Sequence, residues 1–262
     1  MEFTFTPALS FSGLIVGLLV GLTGVGGGSL MTPILVLLFG FKPATAVGTD
    51  LLYAAITKSG GTWVHHKHDN IDWRITGRMA LGSVPAAAVS LYIISQLGID
   101  NHGTARLISA ALGVALLLTA GSLLFRQKLL AFAQQHIGQS FTSKQTTFAT
   151  IAIGAVVGGL VAWTSVGAGA LGVTALTFLY PEMPTRRVVG SDIAHAVPLT
   201  LVAGMGHWYL GSVDVHLLLN LLIGSLPGIA LGSHFAARVP ERRLRTLLAA
   251  VLILVGGKLI FA

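Results

Sequence analysis

The sequence predicts an all-α, polytopic integral membrane protein of two inverted-topology repeats, and three observations carry that prediction. The first is composition: 53% of the 262 residues are hydrophobic and 10% charged, with a mean hydropathy of +0.81. Polar side chains are too few to cover a water-facing surface. The second is spacing, because apolar runs recur from Pro7 to Ala262, and several are long enough to cross a hydrocarbon core of ~30 Å, which takes ~20 helical residues. The third is self-similarity between the two halves of the chain. No polar block is long enough for a second domain, so residues 1–262 read as a single membrane domain.

The apolar runs fall at about 7–22, 29–41, 44–64, 75–97, 104–125, 145–163, 166–180, 185–209, 215–237 and 244–261. Those at 7–22, 29–41 and 166–180 are short and flank glycine-rich segments. Each half is therefore expected to begin with a broken helix pair, either a re-entrant hairpin or two spans, followed by three full transmembrane helices. The polar stretch at 126–144, RQKLLAFAQQHIGQSFTSK, divides the chain near its middle. It is expected to be a cytoplasmic linker between a first repeat at 7–125 and a second at 145–261. The opening MEFTFTPALS has neither the basic region nor the small-residue cleavage site of a signal peptide, so the first apolar run is expected to stay in the mature protein. The absence of cysteine rules out disulfides, thiol catalysis and thiolate metal sites.

A shift of 141 residues pairs Thr23 with Thr164, Gly26 with Gly167, Gly28 with Gly169 and Pro43 with Pro184. A shift of 142 pairs Asp50 with Asp192, His65 with His207, Asp72 with Asp214, Ser83 with Ser225 and Pro85 with Pro227. Ordered matches that include Asp, His and Pro point to duplication, with one extra residue near Arg186 and Arg187. Three helices plus a broken pair cross an odd number of times whichever form the pair takes. The second repeat then enters the membrane upside down, as in many secondary transporters. Twelve of the sixteen Lys and Arg residues, from Lys67 to Arg245, fall on one face; Lys42, Arg106 and Lys258 fall on the other, and Lys58 lies within a helix. The basic face is expected to be cytoplasmic and both termini periplasmic. The net charge of +7 resides in short connections rather than on one amphipathic face, so lipid rather than nucleic acid is the expected partner.

GLTGVGGGSLMTP at 21–33 interrupts an otherwise strong apolar helix. Glycine lets the chain leave helical geometry and lets another group approach the backbone. Thr32 and Pro33 are expected to restart a helix as N-cap and first residue. A helix start at membrane depth is tolerated where it lines a cavity, and its positive dipole end suits an anion. The second half repeats the break as TSVGAGALG at 164–172. Thr23, Gly24, Gly26, Gly27, Gly28 and Ser29, with Thr164, Ser165, Gly167 and Gly169, are thus the candidate substrate-binding residues. Close helix packing by small residues is the alternative. A nucleotide-binding loop would need alternating strands and helices and a Lys after the glycines.

These segments, with KPATAVGTD at 42–50, WTSVGAGALG at 163–172 and PTRRVVGSD at 184–192, resemble the sulfite exporter TauE/SafE family of membrane permeases over essentially the whole chain. The resemblance implies transport of a sulfur-containing anion such as sulfite or an organosulfonate, usually outward across a bacterial inner membrane. The second motif departs from the first, with Ser165, Ala168 and Ala170 in place of Gly24, Gly27 and Ser29.

Ionisable residues within membrane helices are expensive and therefore candidates for coupling or gating. Asp50 and Asp192, in matched helices, are read either as groups that take a proton or hold the broken helices, or as caps near the interface. Lys58 attracts the anion, or pairs with Asp50, or snorkels to the cytoplasmic interface. His195 is read as a donor or relay, or as a satisfied interior histidine. HHKHD at 65–69 lacks the i,i+4 histidine pair and carboxylate of a helical zinc site, so no metal is assigned. No cofactor is implied, and oligomeric state is not readable. An intramembrane hydrolase would need Ser165 activated by His195 or His207 and would leave the repeat unexplained, so no enzyme is expected. The main reading is a secondary transporter exporting a small sulfur-containing anion; an uptake permease for an organic anion and a passive anion channel are the alternatives.

Overall fold

The computed structural model describes residues 5–23, 28–99, 101–136, 143–235 and 241–261. All regular structure among them is helical: α1 (Pro7–Thr23), α2 (Gly28–Leu37), α3 (Pro43–Lys67), α4 (Trp73–Leu97), α5 (His102–His136), α6 (Ser143–Thr164), α7 (Ala170–Leu179), α8 (Thr185–Tyr209), α9 (Val215–Phe235) and α10 (Glu241–Phe261). Among the described residues six helices are long and apolar enough to cross a membrane: α4, α5, α6, α8, α9 and α10. At 25 residues α3 is as long as α4, but Asp50, Lys58 and its His65-His66-Lys67 end make it more polar. α1 is apolar with 17 residues, while α2 and α7 have 10 each and are too short to span alone.

Local chemistry explains where the helices start and stop. Pro43 opens α3 at a position where a missing N–H costs nothing. Asp72 caps α4 by accepting from the backbone N–H groups of Arg74 at 3.0 Å and Ile75 at 3.2 Å, and Gly98, at φ 78°, terminates it. Asp214 does the same for α9 through Leu217 N–H at 2.9 Å. Two expectations need correction. α2 starts at Gly28, so Thr32 is not its N-cap and Pro33 lies inside the helix; the glycine and serine preceding them accept helical geometry, and Thr32 is engaged elsewhere. The linker also begins as helix, since residues 126–136 continue α5 and Ser143 already opens α6, while 137–142 lie outside the described residues.

The halves interlock. α1 packs on α9 and α6 on α4, while α3 packs on α8 and α5 on α10. Small residues let backbones touch: a Cβ on Gly13 would strike Leu221 and one on Gly154 would strike Met79. Likewise Gly82 abuts Ile151 and Ala155, and Gly224 abuts Ser10 and Leu14. Each contact thus occurs twice, at positions matched by the sequence duplication. The caps follow suit: Ser191 Oγ accepts from Asp72 N–H at 2.8 Å, and Thr49 Oγ1 accepts from Asp214 N–H at 3.0 Å. Facing outward are large apolar side chains such as Leu81, Tyr92, Phe148, Val156 and Leu254, each more than half exposed, which suits lipid rather than water.

Candidate functional site

The candidate residues gather where α3 passes α2 and α8 passes α7. Between α6 and α7 the chain leaves helical geometry through Ser165 (φ 59°), Gly167 (φ 129°) and Gly169 (φ 136°). Two of these left-handed positions are glycines, which adopt them without steric cost; Ser165 is not, and stands where the first repeat has Gly24. Thr164 holds the turn, its hydroxyl donating to the Leu160 carbonyl at 2.7 Å and accepting from Val166 N–H at 3.1 Å. In the first repeat Gly24, Gly26 and Gly27 lie outside the described residues, and of Thr23 and Gly28 only the helical backbone is described. Ser29 is buried in the first turn of α2.

Asp50 and Asp192 are the eighth residues of α3 and α8 and are fully buried, too deep to be interfacial caps of their own helices. Each carboxylate instead meets the short helix beyond a break. Asp50 Oδ2 accepts from the Thr32 hydroxyl of α2 at 2.6 Å. The Ser165 hydroxyl lies beside the same carboxylate without closing a hydrogen bond. Asp192 presses on Gly172 in the first turn of α7, where a Cβ would collide with its Oδ1, and neither of its oxygens has a partner among the described residues.

Lys58 links the halves. From α3 of the first repeat its Nζ donates to the Ala168 carbonyl, in the break of the second, at 2.8 Å. Its charge is within Coulombic reach of both Asp50 and Asp192. Rather than snorkelling to the interface, Lys58 sits on the wall of a cavity of about 480 Å³ that also touches Gly21, Gly169, Ile193 and His65. The cavity is largely apolar, and among the described residues its polar wall groups are the Lys58 ammonium, the Thr57 and Ser233 hydroxyls and the His65 imidazole. Its volume is in the range of small-molecule sites.

His195 is an interior histidine, with Nε2 2.8 Å from Ser83 Oγ and Nδ1 without a partner among the described residues. His207 pairs with Ser212, not Ser165. Neither histidine therefore activates Ser165. The HHKHD segment serves aromatic contacts: Lys67 lies 3.7 Å above the Trp63 ring and His66 meets Trp73 edge-on. Sequence reasoning missed Thr32, Ser83 and the Ala168 carbonyl as partners. The duplication could have flagged Ser83, since it matches Ser225 just as His195 matches Tyr53; the Ala168 carbonyl carries no side-chain signal at all.

A family model described as "Sulfite exporter TauE/SafE" matches residues 9–259. "Probable membrane transporter protein YjnA" of Bacillus subtilis strain 168 is 40% identical over 248 residues, covering 95% of this chain and 97% of its own length. "Probable membrane transporter protein YdhB" of the same strain is 27% identical, covering 94% and 97%. "Probable membrane transporter protein MJ0441" of Methanocaldococcus jannaschii is 25% identical, covering 98% and 97%. No solved structure matches the chain significantly.

Proposed function

Because the chain belongs to the sulfite exporter TauE/SafE family and is a membrane transporter, we propose that it carries a small sulfur-containing anion, sulfite or an organosulfonate, outward across the bacterial inner membrane. The single observation that carries the substrate class is Lys58: one ammonium, held to the backbone of the broken segment, on the wall of a largely apolar chamber. One charge and a set of dipoles bind a small anion loosely enough to release it. Among the described residues the chamber offers no cage of convergent carboxylates for Na⁺. Direction follows from the membrane potential, since moving one negative charge out of a negative interior gains ~2.3 kcal/mol per 100 mV without a coupling ion. Asp50 and Asp192 organise α2 and α7, and any proton coupling runs through them. Both termini face the periplasm, and the partners are the anion and the surrounding lipid.

Counterflow in proteoliposomes tests this reading. Internal sulfite or an organosulfonate should drive uptake of the labelled compound, independently of Na⁺, and a panel of carboxylates should not. Flux without counterflow would mark a channel, and counterflow confined to carboxylates would overturn the sulfur-anion assignment.

A further inference from the structure

The two halves of this molecule carry the same positions in different states of packing, and the difference is concentrated at one pair of histidines. His207, in the last turn of α8, is fully buried. Its Nε2 is 2.9 Å from the Ala162 carbonyl of α6, so that nitrogen carries the proton and donates, while Nδ1 pairs with Ser212 Oγ at 2.9 Å. The duplication maps His207 onto His65, Ala162 onto Gly21 and Ser212 onto Asn70. The backbone turn is the same in both places: Ser212 N–H donates to the His207 carbonyl and Asn70 N–H to the His65 carbonyl, each at 3.0 Å. Yet His65 is only half-buried, its Nδ1 has no partner among the described residues, and it lies with Gly21 on the wall of the 480 Å³ cavity.

The wall as a whole shows the same contrast. Val20, Thr57, Gly61, Ile193 and Ile229 border the cavity. Their matched positions, Val161, Leu199, Ala203, Leu51 and Ala87, belong to one closed apolar cluster, and none is more than marginally accessible. Side-chain size accounts for part of this, since Leu199 and Ala203 are larger than Thr57 and Gly61, but not for all of it, because Ile229, on the open side, is larger than Ala87 on the closed side. One set of positions is therefore apart and its duplicate is together.

We infer that His65 and His207 are the two gates of the carrier. His207 closes one end by holding α8 to Ala162; in the opposite state His65 Nε2 donates to the Gly21 carbonyl and holds α3 to α1, sealing the His65 end of the cavity with Lys58 still in place, while His207 releases Ala162 and opens a matching path around Leu199. The substrate chamber beside Lys58 then faces the two sides in turn. This inference rests on the transporter reading above and adds the residues that do the switching.

The cysteine-free chain allows a direct test. Thr57→Cys and Leu199→Cys, one per protein, report the two cavities by reaction with a small membrane-impermeant maleimide in vesicles of each orientation. His207→Ala should slow labelling at position 57 and speed it at 199, and His65→Ala should do the reverse. Each shift should be about fivefold, the population change that loss of one net hydrogen bond produces. Ser212→Ala, a milder change, should move both reporters in the same directions as His207→Ala. The inference is overturned if the reporters ignore all three substitutions, or if every substitution raises labelling at both positions, as simple loosening would. Unmoved reporters in a chain with intact counterflow would overturn the gates alone; reciprocal reporters in a wild-type chain without counterflow would keep the gates and overturn the transport reading.

Discussion

Ser165 shows how one side chain serves two demands that conflict. Its left-handed backbone costs about 1 kcal/mol that glycine would not pay, yet its hydroxyl is buried beside the Asp50 carboxylate. Ser165→Gly should therefore raise thermal stability by up to about 1 kcal/mol while slowing substrate exchange, whereas Ser165→Ala should slow exchange and gain no stability. Parallel melting and counterflow measurements separate the two effects. Lys58 makes the opposite case: the group that bridges the halves is also the one proposed to hold the anion. Lys58→Gln removes the cation from the cavity wall but can still donate to the Ala168 carbonyl if it reaches. Anion counterflow should fall at least about tenfold, the equivalent of losing about 1.4 kcal/mol of charge-assisted binding, with the protein still extracted as a monodisperse species.

At the scale of elements, the α1–α9 and α4–α6 pairs depend on backbone approach rather than side-chain bulk. Gly224→Leu would drive a side chain into the Ser10 carbonyl and force α1 off α9, so yield after mild detergent extraction should collapse. Gly257→Leu on α10 meets open space and should leave yield unchanged. These helices were legible beforehand because twenty-residue apolar runs and an ordered repeat report directly on membrane crossings. The start of α2 was not, since Thr32-Pro33 has the local pattern of a helix start while Gly28 and Ser29 enter the helix without a side-chain signal. Asp50 and Asp192 stood out as candidates because a buried acid has no ordinary reason to be there. What they touch was hidden, because Thr32 and Gly172 come to them through the crossing of separate helices. The contact between Lys58 and Ala168 was hidden for the same reason, with 110 residues between donor and acceptor.

For the whole molecule, the arrangement of charge makes a topological prediction. Phe5 and Asp69 are both exposed, one at the start of the described chain and one in the connection between α3 and α4. Cysteines introduced singly at these positions should react with an impermeant reagent from opposite sides of the membrane, Phe5→Cys from the periplasm and Asp69→Cys from the cytoplasm. Labelling of both from one side would remove the inverted arrangement.

The exchange of partners between halves also bears on how the protein is made. Asn220 of α9 accepts from the backbone N–H of Thr6, just ahead of α1 and 214 residues earlier. A ribosome adding about 5–20 residues per second needs roughly 10–40 s to bridge that gap. Throughout that interval α1, with its exposed row of glycines at 13, 17 and 21, sits in the bilayer without the helix it was shaped to fit. The first half of this chain is born waiting for the second, and whatever shelters nascent membrane helices must hold α1 until α9 arrives.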